Sequence, residues 1–264
     1  MYLYFQNMKP AETTKAFLEL LFWSLDKLSR PSFANLTESF EAWEYSVKIK
    51  PQLKRLARSG YVTLEGRGPA GTVKFTERGR LAALGGVDPA TRWRRNWDGK
   101  WRLLIFDLPA SQTELRTRLW RWLRSRRFGY LQQSVWISPD PVDDTLLPLK
   151  HLKLSPESFT IIEGEPVPPD HDRDLVQAAW DFAAINRLYI KAIGLYEAAP
   201  EWSESARPSL LQRQHWLVNQ RQAWLEAVSL DPLLPQRLWP DGYQGRRAFE
   251  FRTAAFGRIA KGWR

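Results

Sequence analysis

The sequence predicts an α+β protein built in three successive parts, and three observations carry that prediction. A helix-patterned opening ends in two short strands around a Gly-rich tip, a strand–helix–strand run starts at Trp101, and everything after residue 168 is patterned at helical spacing. At 264 residues the chain is long enough for two or three small domains, each with its own core. Hydrophobic residues at 44% and charged residues at 26% are ordinary for a folded globular protein.

Composition also narrows the chemistry. There is no cysteine, which removes disulfides and thiolate metal sites, and the three histidines, His151, His171 and His215, are scattered, so no imidazole cluster is expected. No apolar run is long enough to cross a bilayer and no signal-peptide pattern is present, which predicts a cytoplasmic protein. The net charge of +10 points to a polyanionic partner. Fourteen tryptophans are a heavy load, read as core and interface packing before base stacking because indole buries so much apolar area.

Residues 1–7 (MYLYFQN) read as an expression-tag remnant and are set aside. The first domain is predicted over 8–86. Phe17, Leu20, Leu21, Trp23, Leu25 and Leu28 pattern a helix from Glu12 to Leu28, stopped by Arg30 and Pro31, and a short second helix covers Phe33 to Glu41. A third helix follows, with Leu53 and Leu56 on one face and Gly60 as its C-terminal stop. Tyr61–Leu64 and Thr72–Phe75 are predicted strands around a tip at Gly66–Gly71, and a further short helix starts near Thr76.

Three helices, a hairpin and a short helix make a winged helix-turn-helix pattern. Such a module lays its third helix in the major groove of DNA and its wing on the flanking backbone. Lys48, Lys50, Gln52, Lys54, Arg55 and Arg58 are the side chains that helix offers to phosphates and base edges, with Arg67 and Lys74 on the wing. The competing reading is a solvated basic helix used for protein contacts. Pro51 suits only a first helical turn, so a helix starting near Lys50 would shift the base-reading positions.

Residues 87–100 are predicted as a linker from their Gly, Asp-Pro and polar content. Arg92, Trp93, Arg94, Arg95 and Trp97 interleave there, as would suit either phosphate contact or a domain interface. A central domain follows over 101–168. Trp101–Phe106 is an apolar strand ending at Asp107 and Pro109, and Ser111 and Glu114 have capping-box spacing for a helix start. Leu115, Leu119, Trp122 and Leu123 form that helix's apolar stripe, with Arg121 and Arg124 opposite and Arg116 and Arg118 flanking. Gly129 to Ser138 returns as extended chain. By alternation Gln133, Val135 and Ile137 share one face and Gln132, Ser134 and Trp136 the other, which would put Val135 and Ile137 under the Arg-rich helix. Trp136 is expected to be buried on the far side, against a dimer partner or the helical tail. Asp143 to Leu152 is a second helix and Phe159 to Ile162 the closing strand.

The strings IFDLP, the Arg-rich helix and FGYLQQSVWISP resemble the ferredoxin-like domain shared by the CRISPR-associated Cas2 proteins and the PaaX family of bacterial transcriptional repressors. The carboxy-terminal part, 169–264, is predicted to be mostly helical. Leu175, Ala178, Ala179, Phe182, Ile185, Leu188 and Tyr189 repeat at helical spacing, a long helix runs from about Arg207 to Val228, and a last helix spans Arg246 to Ile259. Between the last two, DPLLPQRLWPDGYQG at 231–245 resembles the carboxy-terminal region of the PaaX family. That resemblance implies a homodimeric repressor on a double-stranded DNA operator, released by an acyl-CoA or aryl-CoA thioester, with no cofactor. Effector-binding residues stay unassigned; Arg116, Arg121, Arg124 and Arg126 are candidates for the thioester's phosphates by charge alone.

An enzyme reading is weaker. Asp107 stands where Cas2 nucleases are read as holding a metal, so the alternative functions are metal-dependent nuclease or nonspecific nucleic-acid binder. Against the nuclease, Asp107 also fits a strand-end residue accepting hydrogen bonds in its turn, and no second acidic residue stands at ligand spacing. No Gly-rich phosphate loop, Gly-x-Ser-x-Gly elbow or His-Glu-x-x-His occurs, and no catalytic or metal residue is assigned.

Overall fold

The computed structural model describes Leu18 and residues 53–65, 72–83, 86–109, 111–141, 159–199 and 210–261. The predicted helices over 12–28 and 33–41, the hairpin tip and the helix over 143–152 lie outside them, Leu18 apart. The described residues fall into two compact units, one drawn from Met1–Asp88, Tyr189–Leu225 and Gly245–Arg264, the other from Pro89–Leu188 and Glu226–Gln244.

In the first unit, residues 53–58 are helical, with Leu53 and Leu56 fully buried. Gly60, at φ +71°, ends the helix by donating to Ala57 O at 3.0 Å while Tyr61 N donates to Leu56 O at 2.9 Å, a left-handed stop that glycine takes without a Cβ penalty. β1 (Val62–Glu65) and β2 (Thr72–Phe75) then pair antiparallel, from Val62 opposite Phe75 to Glu65 opposite Thr72. Thr76 fastens this hairpin to α1 (Glu77–Ala83): its hydroxyl donates to Gly60 O at 2.7 Å and accepts from Gly79 N at 3.0 Å. A Cβ at Gly79 would lie 1.9 Å from Tyr61 O, so only glycine lets the helix sit this close to the strand.

The second unit holds the main sheet, in the order β4-β5-β3-β6 and antiparallel throughout. Its strands are β3 (Trp101–Phe106), β4 (Gly129–Gln132), β5 (Val135–Ser138) and β6 (Phe159–Gly164). β3 is the strand the sequence predicts, and β6 runs two residues past the predicted end. Between β3 and β4 runs α3 (Thr113–Ser125), and ahead of β3 lies α2 (Pro89–Arg94). One strand inserted between two that a helix connects is the split βαβ of a ferredoxin-like domain. Leu104, Phe106, Trp136, Phe159 and Ile161 on the sheet pack with Leu119, Leu123, Leu115, Trp120 and Trp122 of α3 as one core.

Three local expectations are corrected here. Ser111 does not cap α3. The turn after Pro109, closed by Gln112 N donating to Pro109 O at 2.9 Å, moves the helix start to Thr113, with Gln112 as the capping residue and no side-chain cap bond. Residues 129–138 are not one extended strand but a tight hairpin turning at Gln133 (φ +38°) and Ser134, with a register irregularity between Tyr130 and Gln132. Val135 and Ile137 share one face and Trp136 takes the other, as alternation predicts, but α3 covers the opposite face from the one expected. Trp136, opposite both Leu104 and Tyr130, lies under α3, while Ile137 and Val135 lie with Leu103 and Ile105 on the other face.

The other face of the sheet receives α4 (Asp172–Ala179) at the Gly129 end. Trp101 Nε1 donates to Asp172 at 2.8 Å and its ring lies 6.3 Å from that of Trp180. A Cβ at Gly129 would come within 2.6 Å of Ala179 Cβ and of the Trp180 ring. Gly129→Ala is therefore expected to lower stability by about 1–3 kcal/mol, the usual cost of overpacking, as read from a chemical denaturation midpoint. A shift inside experimental error would show that α4 retreats freely.

The helical pattern from 172 onward breaks once. Trp180 is extended, and Asp181 caps a new helix by accepting from Ala184 N at 2.8 Å, so α4 ends and α5 (Phe182–Glu197) begins where one continuous helix was expected. α6 (Leu210–Leu230) and α7 (Gly245–Lys261) follow the predicted spans closely. In the first unit Arg252 of α7 is fully buried, its guanidinium 4.5 Å from the Trp224 ring centroid, and Trp224 in turn lies 6.0 Å from Tyr189.

Candidate functional site

Of the eight side chains expected to face DNA, four lie among the described residues. Lys54, Arg55 and Arg58 are exposed on the helical residues 53–58, whose other face buries Leu53 and Leu56. Lys74 is exposed on β2 and pairs with Glu65 of β1 at 2.6 Å, a surface contact worth little. Lys48, Lys50, Gln52 and Arg67 lie outside the described residues. Three cations thus stand on the solvent face of a short helix stopped by glycine and followed at once by an antiparallel hairpin. Arg78, from α1, lies 5.0 Å over the Tyr61 ring between that helix and β1.

Asp107 is exposed just past the end of β3, and the described residues contain no group of three His, Asp or Glu side chains able to hold a metal ion. His215 is exposed beside Asn219, at 3.2 Å. Of the arginines considered for an effector, Arg116 is committed: it donates to Leu108 O at the entry to α3. Arg121 and Arg124 are exposed, as is Arg126, whose guanidinium lies 5.9 Å over Trp122.

A second constellation was not anticipated as a unit. Residues 87–100, expected as linker, contain α2, and from it and the turn beyond it Arg92 and Arg95 both reach Asp140, each at 2.6 Å. Burial holds the Arg95 guanidinium below its ordinary pKa, with Asp140 opposing that effect. Arg95 also donates to Leu233 O, and Arg127 donates to Val228 O and to Asp231 O. The buried Asp231 carboxylate accepts from Leu233 N at 2.7 Å and from the Tyr243 hydroxyl, which itself accepts from Trp93 Nε1 at 3.0 Å. Trp239 closes the motif by donating to Leu234 O at 3.0 Å, with its ring tilted against that of Tyr243 at a centroid distance of 5.0 Å. The string DPLLPQRLWPDGY is thus a buried knot that fastens α2. Arg92 and Arg95 converge on the single carboxylate of Asp140, 45 or more residues along the chain, a pairing that no local pattern announces. At the other end of the presumed linker Asp98 and Glu163 flank the buried Arg102, whose hydrogen bonds hold Asp98 down to about 2.

Comparison with known proteins agrees with this architecture. Residues 94–176 match the family model of the PaaX protein central Cas2-like domain. That range extends past both ends of 101–168, in keeping with the packing of α4 on Gly129 and Trp101. Among solved structures the chain is similar to the uncharacterized protein Rv0674 from Mycobacterium tuberculosis, with a TM-score of 0.56 at 19% identity over 94% of this chain and 96% of that one. No curated protein matches. PaaX proteins are transcriptional regulators, and no helix among the described residues is long and apolar enough to cross a membrane. Residues 94–176, whose sheet and helix have the order of a Cas2-like domain, are thus similar to the central domain of the PaaX proteins.

Proposed function

We propose that this protein is a homodimeric, sequence-specific DNA-binding repressor whose residues 8–86 form a winged helix and whose remaining parts sense a ligand or hold the dimer. The observation that carries the reading is the order helix, glycine stop, antiparallel hairpin, helix over 53–83, with Lys54, Arg55 and Arg58 on the helix's exposed face. A two-fold dimer would offer two such helices to a palindromic operator, with half-site spacing set by the dimer. The effector of this proposal is an acyl-CoA or aryl-CoA thioester whose binding releases DNA.

Footprinting on the DNA upstream of the protein's own gene tests the assignment. The expected result is a protected palindrome; equal affinity for random DNA would sink it. Lys54→Ala or Arg55→Ala is expected to weaken binding and reduce the slope of log affinity against log salt by roughly 0.9 each where a phosphate contact is lost. A screen of acyl-CoA thioesters, free acids and nucleotides for DNA release tests the effector, which fails if no thioester releases the bound DNA.

A further inference from the structure

The exposed face of α3 carries Arg118, Arg121 and Arg124, each three residues after the last. Among the described residues none of the three is in an ion pair or a side-chain hydrogen bond, and the helix's one acid, Glu114, pairs with none of them. Several other basic side chains of this unit are spent inside the protein: Arg92 and Arg95 on Asp140, Arg102 on Asp98 and Glu163, Arg116 and Arg127 on backbone carbonyls, whereas Lys100, Arg126 and Arg187 are exposed as well. The α3 cations therefore stand apart from the unit's internal charge balance. Beside them is an aromatic edge. Trp120, one turn before Arg124, lies 6.1 Å from Tyr130, which is 42% exposed on the neighbouring strand.

We infer that this face of α3 is a second polyanion-binding surface that grips the phosphate backbone of duplex DNA without reading its sequence. This extends the DNA-binding proposal and shares its choice of partner. Three guanidinium groups spread over a rise of about 9 Å along a convex helix match a linear row of phosphates. They do not enclose a compact ligand, so the diphosphate of a CoA thioester would gain at most one or two of them. A membrane surface is the poorer fit as well, because the large apolar side chains of α3 point into the core and leave no apolar face for lipid.

The test uses the full chain and a random-sequence duplex of about 40 base pairs, with affinity measured across a salt series. The triple variant Arg118→Gln, Arg121→Gln, Arg124→Gln is expected to keep the wild-type thermal midpoint and to lose about 2–3 units of the log–log salt slope. The triple lysine variant, Arg118→Lys, Arg121→Lys, Arg124→Lys, should restore most of the slope, since a phosphate accepts either point charge. A slope unchanged by the glutamine variant overturns the inference, as does a loss confined to acetyl-CoA binding, or a wild-type protein that binds no duplex. The DNA-reading helix is judged separately with Lys54→Ala and Arg55→Ala. If only those two variants matter, the surface on α3 falls and the helix assignment stands; if only the α3 variants matter, the reverse holds.

Discussion

Trp136→Ala should lower stability by about 3–5 kcal/mol, the usual range for truncating a large buried aromatic, and should leave the oligomeric state as it was. Trp136 is 1% exposed in the core between the sheet and α3, with ring contacts to Trp120 at 6.3 Å and Tyr130 at 5.4 Å. These contacts lie inside one domain of one chain, so the loss appears as an earlier melt independent of protein concentration. Among the described residues its indole N–H has no hydrogen-bond partner. Trp136→Phe keeps most of the ring area and removes a buried donor that is unsatisfied, so it should cost far less, about 1 kcal/mol. Denaturation midpoints of the two variants beside light scattering decide the matter. A concentration-dependent melt with folded monomer would instead put Trp136 at a subunit interface.

That residue also shows where the sequence stopped being legible. Its burial could be read from type and context, but its face could not. Alternation says which residues share a face but not which face a helix covers, and the turn at Gln133–Ser134 carries none of the Asn-Gly or Gly signals that usually announce a two-residue hairpin. Unlike it, β3 was exact because Asp107 and Pro109 end its apolar run unmistakably, and Gly60 was exact because a left-handed stop wants glycine. The break at Trp180 was hidden for a different reason. Leu175, Ala179, Phe182 and Ile185 keep helical spacing across it, while the capping Asp181 looks like any polar position on a helix surface. Of the candidate site, the basic character of residues 53–58 was readable locally. The knot joining Arg95, Arg127, Asp140 and Asp231 was not, because its partners are separated by as many as 138 residues and no local pattern encodes such pairings.

Asp231→Ala is expected to cost a similar amount, roughly 3–5 kcal/mol, from loss of two charge-assisted hydrogen bonds at about 1.5–3 kcal/mol each. Asp231 is 1% exposed and its carboxylate accepts from the buried Leu233 N and from the part-buried Tyr243 hydroxyl, so its removal takes that acceptor from both donors. It also loosens Leu233, whose positive φ of 50° is tolerated because that amide is held. The effect should spread to α2, since Trp93 reaches the same centre through Tyr243 and Arg95 through Leu233 O. Tyr243→Phe removes one bond to Asp231 and one to Trp93 and should cost about 2 kcal/mol. Asp231→Asn keeps the shape and one acceptor, so it should fall between wild type and Asp231→Ala. Because Asp231 and Tyr243 touch, a double-mutant cycle of Asp231→Asn with Tyr243→Phe should show coupling of about 1 kcal/mol or more in chemical denaturation. Additive losses would mean that the two residues stabilise the motif independently, and the knot would not be the cooperative fastening of α2 that its hydrogen bonds describe.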